Sequence, residues 1–140
     1  MKISTRARYG TKALLELALH ENGELVPLKE ISRRQQIPLP YLGHIISPLV
    51  RAGIVRSTRG VGGGVSLLKP PQQVVLIEVI ELFEGPISLV DCVNHPESCP
   101  RSGHCVTRGL WCEVREAIIG VFESVTLQDL VERQGREDEP

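Results

Sequence analysis

The chain has 140 residues, of which 41% are hydrophobic, and a formal net charge of −1. This size and composition support one domain with a buried core, which does not need disulfides for its stability. No stretch approaches the roughly 18 apolar residues of a membrane span, and the basic, amphipathic start is not of signal-peptide type. We therefore expect a cytoplasmic protein with reduced thiols and no membrane partner.

The two halves of the chain differ strongly in charge. Residues 1–69 hold eleven Lys and Arg and four Glu, a net charge of +7, whereas residues 70–140 hold five Arg and thirteen Asp and Glu, a net charge of −8. Such an asymmetry indicates that the first half meets a polyanion. Two unequally charged solvated surfaces would give the same count, so the motifs have to decide between these readings.

The basic half begins with an amphipathic helix and then predicts a helix-turn-helix at about residues 28–52. The segment Ile37-Pro38-Leu39-Pro40 predicts the turn, because proline disfavours a helical residue before it and suits the first turn of the next helix. Apolar residues from Tyr41 to Leu49 then recur at helical spacing, and Gly53 follows the helix end. Two short helices joined in this way are the motif that lays its second helix in the DNA major groove.

A glycine-rich hairpin is predicted next, at about residues 54–68. Two β-rich runs flank the stretch Val61-Gly62-Gly63-Gly64, which places Arg59 at the tip. An arginine on a projecting wing suits a narrow minor groove, where the negative potential is concentrated. A plain surface hairpin is the alternative. A phosphate-binding glycine loop is disfavoured, because no GK[ST] follows and no helix opens after the glycines.

The acidic half is predicted to be helical around a cysteine-rich loop. We expect a connecting helix within residues 71–90, a cysteine segment at 91–108, a long helix at 109–131 and a disordered tail at 132–140. The long helix carries more apolar surface than a small domain needs, which favours packing against a second copy of the chain. Packing within its own chain is the alternative. The predicted dimer residues are Trp111, Val114, Ile118, Val121, Phe122 and Val125.

All four cysteines lie within twenty-two positions, at Cys92, Cys99, Cys105 and Cys112. Their spacing lacks the close pairs that structural zinc sites favour. An open loop rich in proline and glycine suits the wrapping of an iron–sulfur cluster, which thiolates ligate. A cysteine-dependent enzyme is disfavoured, because nothing supplies an oxyanion loop or an orienting acid.

Several motifs together resemble the IscR/NsrR family of winged-helix transcription regulators, also called the Rrf-two family. They are ARYGTKALLELA, LKEIS, IPLPYL, LVRAGIVRSTRGVGGGVSL and the cysteine cluster, and the resemblance runs from Met1 to about Val131. It implies a mainly α fold with a small β-wing, in which a winged helix-turn-helix at residues 1–70 binds double-stranded DNA. It also implies a homodimer on a short palindromic operator, with the dimer contact made by the long C-terminal helix.

The resemblance also implies which residues contact DNA. Tyr41 and His44 would face bases or phosphates, and Arg59 would enter the minor groove. Gly43 departs from the family, which often has an acidic residue there, and Pro48 predicts that the second helix kinks or ends early. The full predicted set is Lys2, Arg6, Arg8, Arg33, Arg34, Pro40, Tyr41, His44, Ser47, Arg59, Gly60, Gly62 and Gly63.

By the same resemblance, Cys92, Cys99 and Cys105 would ligate an iron–sulfur cluster, with [2Fe–2S] favoured over [4Fe–4S]. The fourth ligand stays open, because the family's His and Asp positions hold Arg108 and Arg8, which cannot ligate. Candidates are Cys112 first and His104 second, followed by His95, Asp91 or an exogenous ligand.

Two modes of control are consistent with this pattern. A cluster that responds to iron, cluster demand, oxygen or nitric oxide would control operator binding, most simply by ordering the cysteine segment that precedes the dimer helix. The alternative is a cluster-free repressor controlled by thiol redox state or by a sulfur metabolite or partner.

Overall fold

A computed structural model describes residues 2–20 and 23–138. The elements are α1 (Thr5–Leu19), α2 (Leu28–Gln35), α3 (Leu39–Arg51), β1 (Val55–Thr58), β2 (Gly64–Leu67), α4 (Leu76–Glu84), α5 (Asp91–Asn94), α6 (Val106–Ser124) and α7 (Leu127–Glu137). The two strands form an antiparallel sheet. The architecture is mainly α with a small β-wing, which confirms the predicted fold class.

Helix α1 lies at the centre of the core. The Ser4 hydroxyl caps it by accepting a hydrogen bond from the Ala7 amide at 3.1 Å. Ala13, Leu14 and Leu17 of α1 are buried. The helix contacts α2, α3 and β2 of the winged helix-turn-helix and also α4 and α7 of the second half. One core therefore joins the basic and acidic halves of the chain.

The turn between α2 and α3 forms where the two prolines predicted it. Gln36 adopts a left-handed conformation with φ of 55°, and the Ile37 amide donates to the Ser32 carbonyl at 3.1 Å. Helix α3 does not end early at Pro48 but continues to Arg51. The amide that proline lacks would have bonded the carbonyl of His44, so the helix continues through Pro48 with one backbone hydrogen bond fewer.

The wing is anchored to the body of the domain by Val26. This residue forms an isolated antiparallel bridge with Val65, with N–O distances of 2.8 and 2.9 Å in the two directions. The backbone approach is so close that a Cβ on Gly64 would lie 2.5 Å from the Val26 carbonyl oxygen. Glycine at this position is therefore a packing requirement of the wing root.

The C-terminal region differs from its prediction as one helix followed by a disordered tail. Helix α6 ends at Ser124, and a second helix, α7, runs from Leu127 to Glu137, so residues 132–137 are helical. Thr126 and Asp129 form a capping box that starts α7. The extended break is held by backbone hydrogen bonds at and just before the start of α4, from Leu76 N to Val125 O at 2.9 Å and from Leu127 N to Val74 O at 3.0 Å. The last two residues of the predicted tail lie outside the described residues.

The cysteine segment is more ordered than the open loop that was predicted. It contains α5 and two short 3₁₀ turns, at Pro96–Ser98 and Ser102–His104, and α6 already begins at Val106. The predicted connecting helix at residues 71–90 is shorter and occupies Leu76–Glu84. Across residues 2–20 and 23–138, no helix is long and apolar enough to cross a membrane.

The contact between α1 and α4 generates a stability prediction at Gly10. A Cβ there would overlap Cε2 of Phe83 and lie 2.9 Å from its Cζ. The Phe83 ring packs against the main hydrophobic core and against a second, smaller hydrophobic cluster. It therefore cannot rotate away without losing contacts. We expect Gly10→Ala to lower the free energy of unfolding by about 1–3 kcal/mol, measured by urea denaturation.

The matched control is Gly43→Ala in α3, where an added Cβ meets no atom within 4 Å. That change should raise stability by up to about 1 kcal/mol, through helix propensity alone. Equal stability of the two variants would contradict the proposed contact with Phe83.

Candidate functional site

The exposed face of α3 carries the residues predicted to read DNA. Leu42, Ile45 and Leu49 bury the opposite face in the core and so fix which side points outward. The outward residues are Pro40, Gly43, His44, Ser47, Val50 and Arg51. Arg51 was missed by the sequence analysis, although its helical spacing from His44 and Ser47 could have identified it.

Tyr41 is only half-buried and supports the outward face from the side. Its ring meets that of Tyr9 edge-on, with centroids 5.5 Å apart, and that of His44 with centroids 6.5 Å apart. Aromatic pairs at these separations prefer such edge-to-face geometry. Tyr41 therefore connects α1 to the His44 side chain as well as bordering the predicted DNA surface.

The wing presents Arg59 at its exposed tip, as predicted. The tip turns tightly, with the Gly63 amide donating to the Gly60 carbonyl at 3.0 Å. A Cβ on Gly63 would overlap the Thr58 carbonyl oxygen, and Gly62 has a positive φ of 77°. The glycines are therefore needed to form the turn and leave a bare backbone beside Arg59.

The predicted N-terminal cations lie on the exposed surface at and before α1. The Arg6 guanidinium stands 5.6 Å from the centroid of the Phe83 ring. Arg8 donates to the Thr5 hydroxyl at 3.3 Å. Lys2 is exposed, as is Arg33 in α2.

Arg34 differs from the other predicted phosphate contacts, because acidic groups of its own chain engage it. Its guanidinium lies 3.2 Å from Glu30 and 3.7 Å from Glu16, whose side chain is only 2% exposed. Glu16 also accepts from Gln35 at 3.1 Å and contacts His20 at 3.0 Å. We therefore assign Arg34 to the network that joins α1 to α2 rather than to a free cationic surface.

The four cysteines are all free thiols and all half-exposed. Cys92 lies in α5, Cys99 follows the first 3₁₀ turn, Cys105 is the residue before α6, and Cys112 lies inside α6. The helix thus begins directly after Cys105, so seven residues of helical rise, about 10 Å, separate Cys105 from Cys112. This rise disfavours Cys112 as the fourth ligand of a single cluster.

Two arginines of α6 bind the backbone of the segment before it. Arg108 donates from Nε to the Cys92 carbonyl at 2.8 Å, and Arg115 donates from Nε to the Ile87 carbonyl at 2.9 Å. Charged donors form stronger hydrogen bonds than neutral ones. Arg108, which replaces the family's histidine, thus holds the backbone of a candidate ligand.

The groups around Cys105 lower the pKa of its thiol. The Thr107 hydroxyl, 3.0 Å from the sulfur, lowers the pKa of Cys105 below its ordinary value of 9.0, and the backbone amides of Arg108 and Thr107 lower it further. These groups stabilise the thiolate, which is both the metal ligand and the nucleophile of cysteine chemistry.

The segment offers suitable donors for an iron–sulfur cluster without presenting them as an assembled site. Within residues 2–20 and 23–138, no three His, Cys, Asp or Glu side chains are gathered so that they could hold a metal ion. His104 is exposed, and His95 lies 3.3 Å from Glu97. The buried Oδ1 of Asn94 has no partner among the described groups. The donor chemistry therefore fits a cluster, whereas closing the site requires the segment to rearrange.

The apolar residues of helix α6 lie on one wide face, as predicted, and the structure buries one part of that face and leaves the other part exposed. Ile118 and Phe122, together with Val125 after the helix, pack within the chain. Towards one edge of this face, Leu110, Val114 and Val121 are 37% to 60% exposed, while Trp111 lies in line with Ile118 and Phe122 and is 38% exposed. Three of the six predicted dimer residues thus serve the chain's own core, and Leu110 joins the exposed stripe.

Comparison with known proteins decides the family. The family model described as "Rrf2: Iron-dependent Transcriptional regulator" matches residues 3–133. The chain belongs to the Rrf2 family. Among Rrf2 relatives, the HTH-type transcriptional regulator IscR of Photorhabdus laumondii is 36% identical, over 99% of this chain and 87% of that protein. The predicted resemblance is thereby confirmed, and the chain is a DNA-binding transcription regulator and not an enzyme.

Two solved Rrf2-type structures share the whole architecture. The structure of T. potens IscR aligns with a TM-score of 0.81 at 31% identity, covering 100% of this chain and 93% of that one. CymR of B. subtilis, described as the global cysteine regulator, aligns with a TM-score of 0.80 at 36% identity, covering 95% and 98%. Both alignments span nearly the whole chain, which supports the predicted fold class.

The environment of Cys105 predicts a pH dependence of its reactivity in the iron-free, reduced protein. Removing the hydroxyl in Thr107→Val should raise the pKa of Cys105, leaving a smaller thiolate fraction and slower alkylation by iodoacetamide near neutral pH. Thr107→Ser keeps the hydroxyl and should retain the wild-type profile. Peptide mass spectrometry over a pH series measures Cys105 separately from the other thiols. An unchanged midpoint in Thr107→Val would contradict the role of the hydroxyl.

Proposed function

We propose that this Rrf2 regulator is a homodimer whose binding to a palindromic operator is controlled by an iron–sulfur cluster held by Cys92, Cys99 and Cys105. The observation that carries the proposal is the connection between these thiols and α6. Arg108 and Arg115 bond the backbone at Cys92 and Ile87 to α6, so a rearrangement of the cysteine segment is transmitted to the helix.

The DNA-binding part of the proposal rests on two exposed elements. The outward face of α3, with His44 and Ser47, is suited to the major groove, and Arg59 on the wing is suited to the adjacent minor groove. Lys2, Arg6 and Arg8 then serve as phosphate contacts that position the protein. Gly43 offers no side chain to the bases, so the operator differs from those of relatives with an acidic residue there.

Dimerisation is supported by the exposed stripe of α6. Leu110, Val114, Ala117 and Val121 follow the spacing i, i+4, i+7 and i+11, which aligns them along one side of a helix. Monomeric proteins rarely leave such a contiguous apolar surface in water. A second copy packed on this stripe would bury it by two-fold symmetry and place two α3 helices for two half-sites.

The iron-dependent description of the family and the donor chemistry of the cysteine segment support the cofactor. A bound [2Fe–2S] cluster, favoured over [4Fe–4S], would supply sensitivity to iron, oxygen or nitric oxide. The chain's own groups prepare the site: Thr107 and the start of α6 stabilise the Cys105 thiolate, and Arg108 positions the Cys92 backbone. The segment would bind the cluster only with a rearrangement, so the two states can differ in DNA affinity.

Control by thiol chemistry without a cluster is the second candidate. It is favoured by the lowered pKa of Cys105 and by the likeness to CymR, the cysteine regulator. In that case, modification of Cys105 or a bound sulfur compound would move the same segment against α6.

The exposed stripe predicts the effect of a charge on assembly. Val121→Glu should convert the dimer to a monomer without unfolding it, because Val121 is 60% exposed in the single chain. The matched control, Gly120→Glu, adds the same charge one residue earlier, where nothing lies within 4 Å, on the polar side of α6. Light scattering after size exclusion measures both. A dimeric Val121→Glu would place the dimer interface elsewhere.

The cofactor is tested by spectroscopy of protein purified without oxygen. The wild type should show visible absorption bands with iron and acid-labile sulfide in equal amounts, and Cys92→Ala should lose them. Because of its distance from Cys105 along α6, we expect Cys112→Ala to retain the bands, and bleaching of that variant would make Cys112 the fourth ligand. A colourless, iron-free wild type would exclude the cluster and leave thiol control.

A further inference from the structure

Two large open clefts border the outward face of α3, one on each side, and a smaller one of about 380 Å³ is lined by Ser47, Arg51 and Arg59. The first, about 660 Å³, lies towards α1, and its lining includes Arg6, His44, Ser47 and Arg51. The second, about 640 Å³, lies between α3 and the wing, and its lining includes Lys29, Arg59, Gly60 and Gly63. Gly43 lines both clefts, so the same helix separates them.

The clefts carry positive charge that the chain leaves available to a partner. Among the described residues, no Asp or Glu side chain lines either cleft. Glu16 and Glu30, the acidic residues of α1 and α2, contact Arg34. An anion entering either cleft therefore meets basic groups without an opposing carboxylate.

The dimensions of DNA explain why a reading helix would have a cleft on each side. The major groove is about 12 Å wide, and an α-helix with its side chains is about 10–12 Å across. A helix seated there has one sugar–phosphate strand along each flank. A wing that reaches the adjacent minor groove has to cross one of these strands, which then passes between the helix and the wing.

We infer that the two DNA strands beside α3 occupy these two clefts, with Arg51 and Arg6 contacting the phosphates of one strand and Lys29 those of the other. The inference rests on the proposed DNA-binding function and adds Arg51 and Lys29 to its contact residues. It also assigns Arg51 and Arg6 to one DNA strand and Lys29 to the other DNA strand. Both residues act on phosphates and are not readers of base sequence.

Local geometry prepares both residues for this role. The Ser47 hydroxyl accepts a hydrogen bond from Arg51 at 3.0 Å, which orients the guanidinium along the outward face of α3. Lys29 lies in the first turn of α2, which starts at Pro27 without a side-chain cap. Uncapped amides at a helix start favour a phosphate oxygen beside them. The bare backbone at Gly60 and Gly63 allows a strand to approach closely in the same cleft.

The test compares salt dependence with sequence preference. The wild type, with and without iron, is used to select a duplex from a random-sequence pool, and a scrambled duplex serves as reference. Fluorescence anisotropy at about 50 to 200 mM KCl then gives the slope of log K against log [salt]. Arg51→Ala and Lys29→Ala should each make this negative slope shallower by about 0.9 per protein copy bound. Each should also weaken binding about eightfold per copy at about 0.1 M salt.

The loss should be equal on the selected and scrambled duplexes, because phosphates carry no sequence information. Arg51→Lys should keep the slope, since a lysine also neutralises a phosphate. Arg133→Ala, an exposed arginine of α7 outside both clefts, is the matched control and should change neither quantity.

An unchanged slope for Arg51→Ala or Lys29→Ala would overturn the assignment. A loss confined to the selected duplex would also overturn it, by making the residue a reader of bases. A wild type that binds no duplex in either iron state would instead contradict the proposed DNA-binding function itself.

Discussion

The packing of α1 against both halves of the molecule is the constraint on which the rest of the structure depends. Ala13, Leu14 and Leu17 enter the same core as the helix-turn-helix and as α4 and α7. A winged domain of about 70 residues alone would bury a small core. Because α1 packs into the core of both halves, the acidic half contributes to the stability of the winged half. A change in one half can therefore affect the other through packed side chains.

Networks of polar side chains also join neighbouring elements of the chain. The buried Glu16 carboxylate, held by Gln35, His20 and Arg34, fixes α1 to α2. A buried carboxylate is tolerated only with such partners. In the second half, Arg108 and Arg115 perform the comparable task for the cysteine segment. Basic residues thus divide into those used inside the chain and those left outside for a polyanion.

The contrast between the packed core around α1 and the less tightly held cysteine segment gives the proposed regulation a physical basis. Cys92, Cys99 and Cys105 lie in a segment of short helical turns that Arg108 and Arg115 hold to α6. The exposed stripe on another side of α6 is available to a second copy. A segment with few buried contacts rearranges at low cost, whereas the core around α1 does not. Occupancy or modification of the thiols would therefore change the position of α6 sooner than the shape of the winged domain.

The sequence by itself determined the local elements, because proline, glycine and apolar spacing act over a few residues. Ile37-Pro38-Leu39-Pro40 defined the turn, the glycines at 60–64 the wing, and the clustered cysteines the segment before α6. Tertiary structure alone decided how side chains were shared between competing partners. It took Arg34 into the Glu16 network and divided the apolar residues of α6 between the core and an exposed stripe. Each outcome depends on contacts between distant residues, which spacing along the chain does not encode.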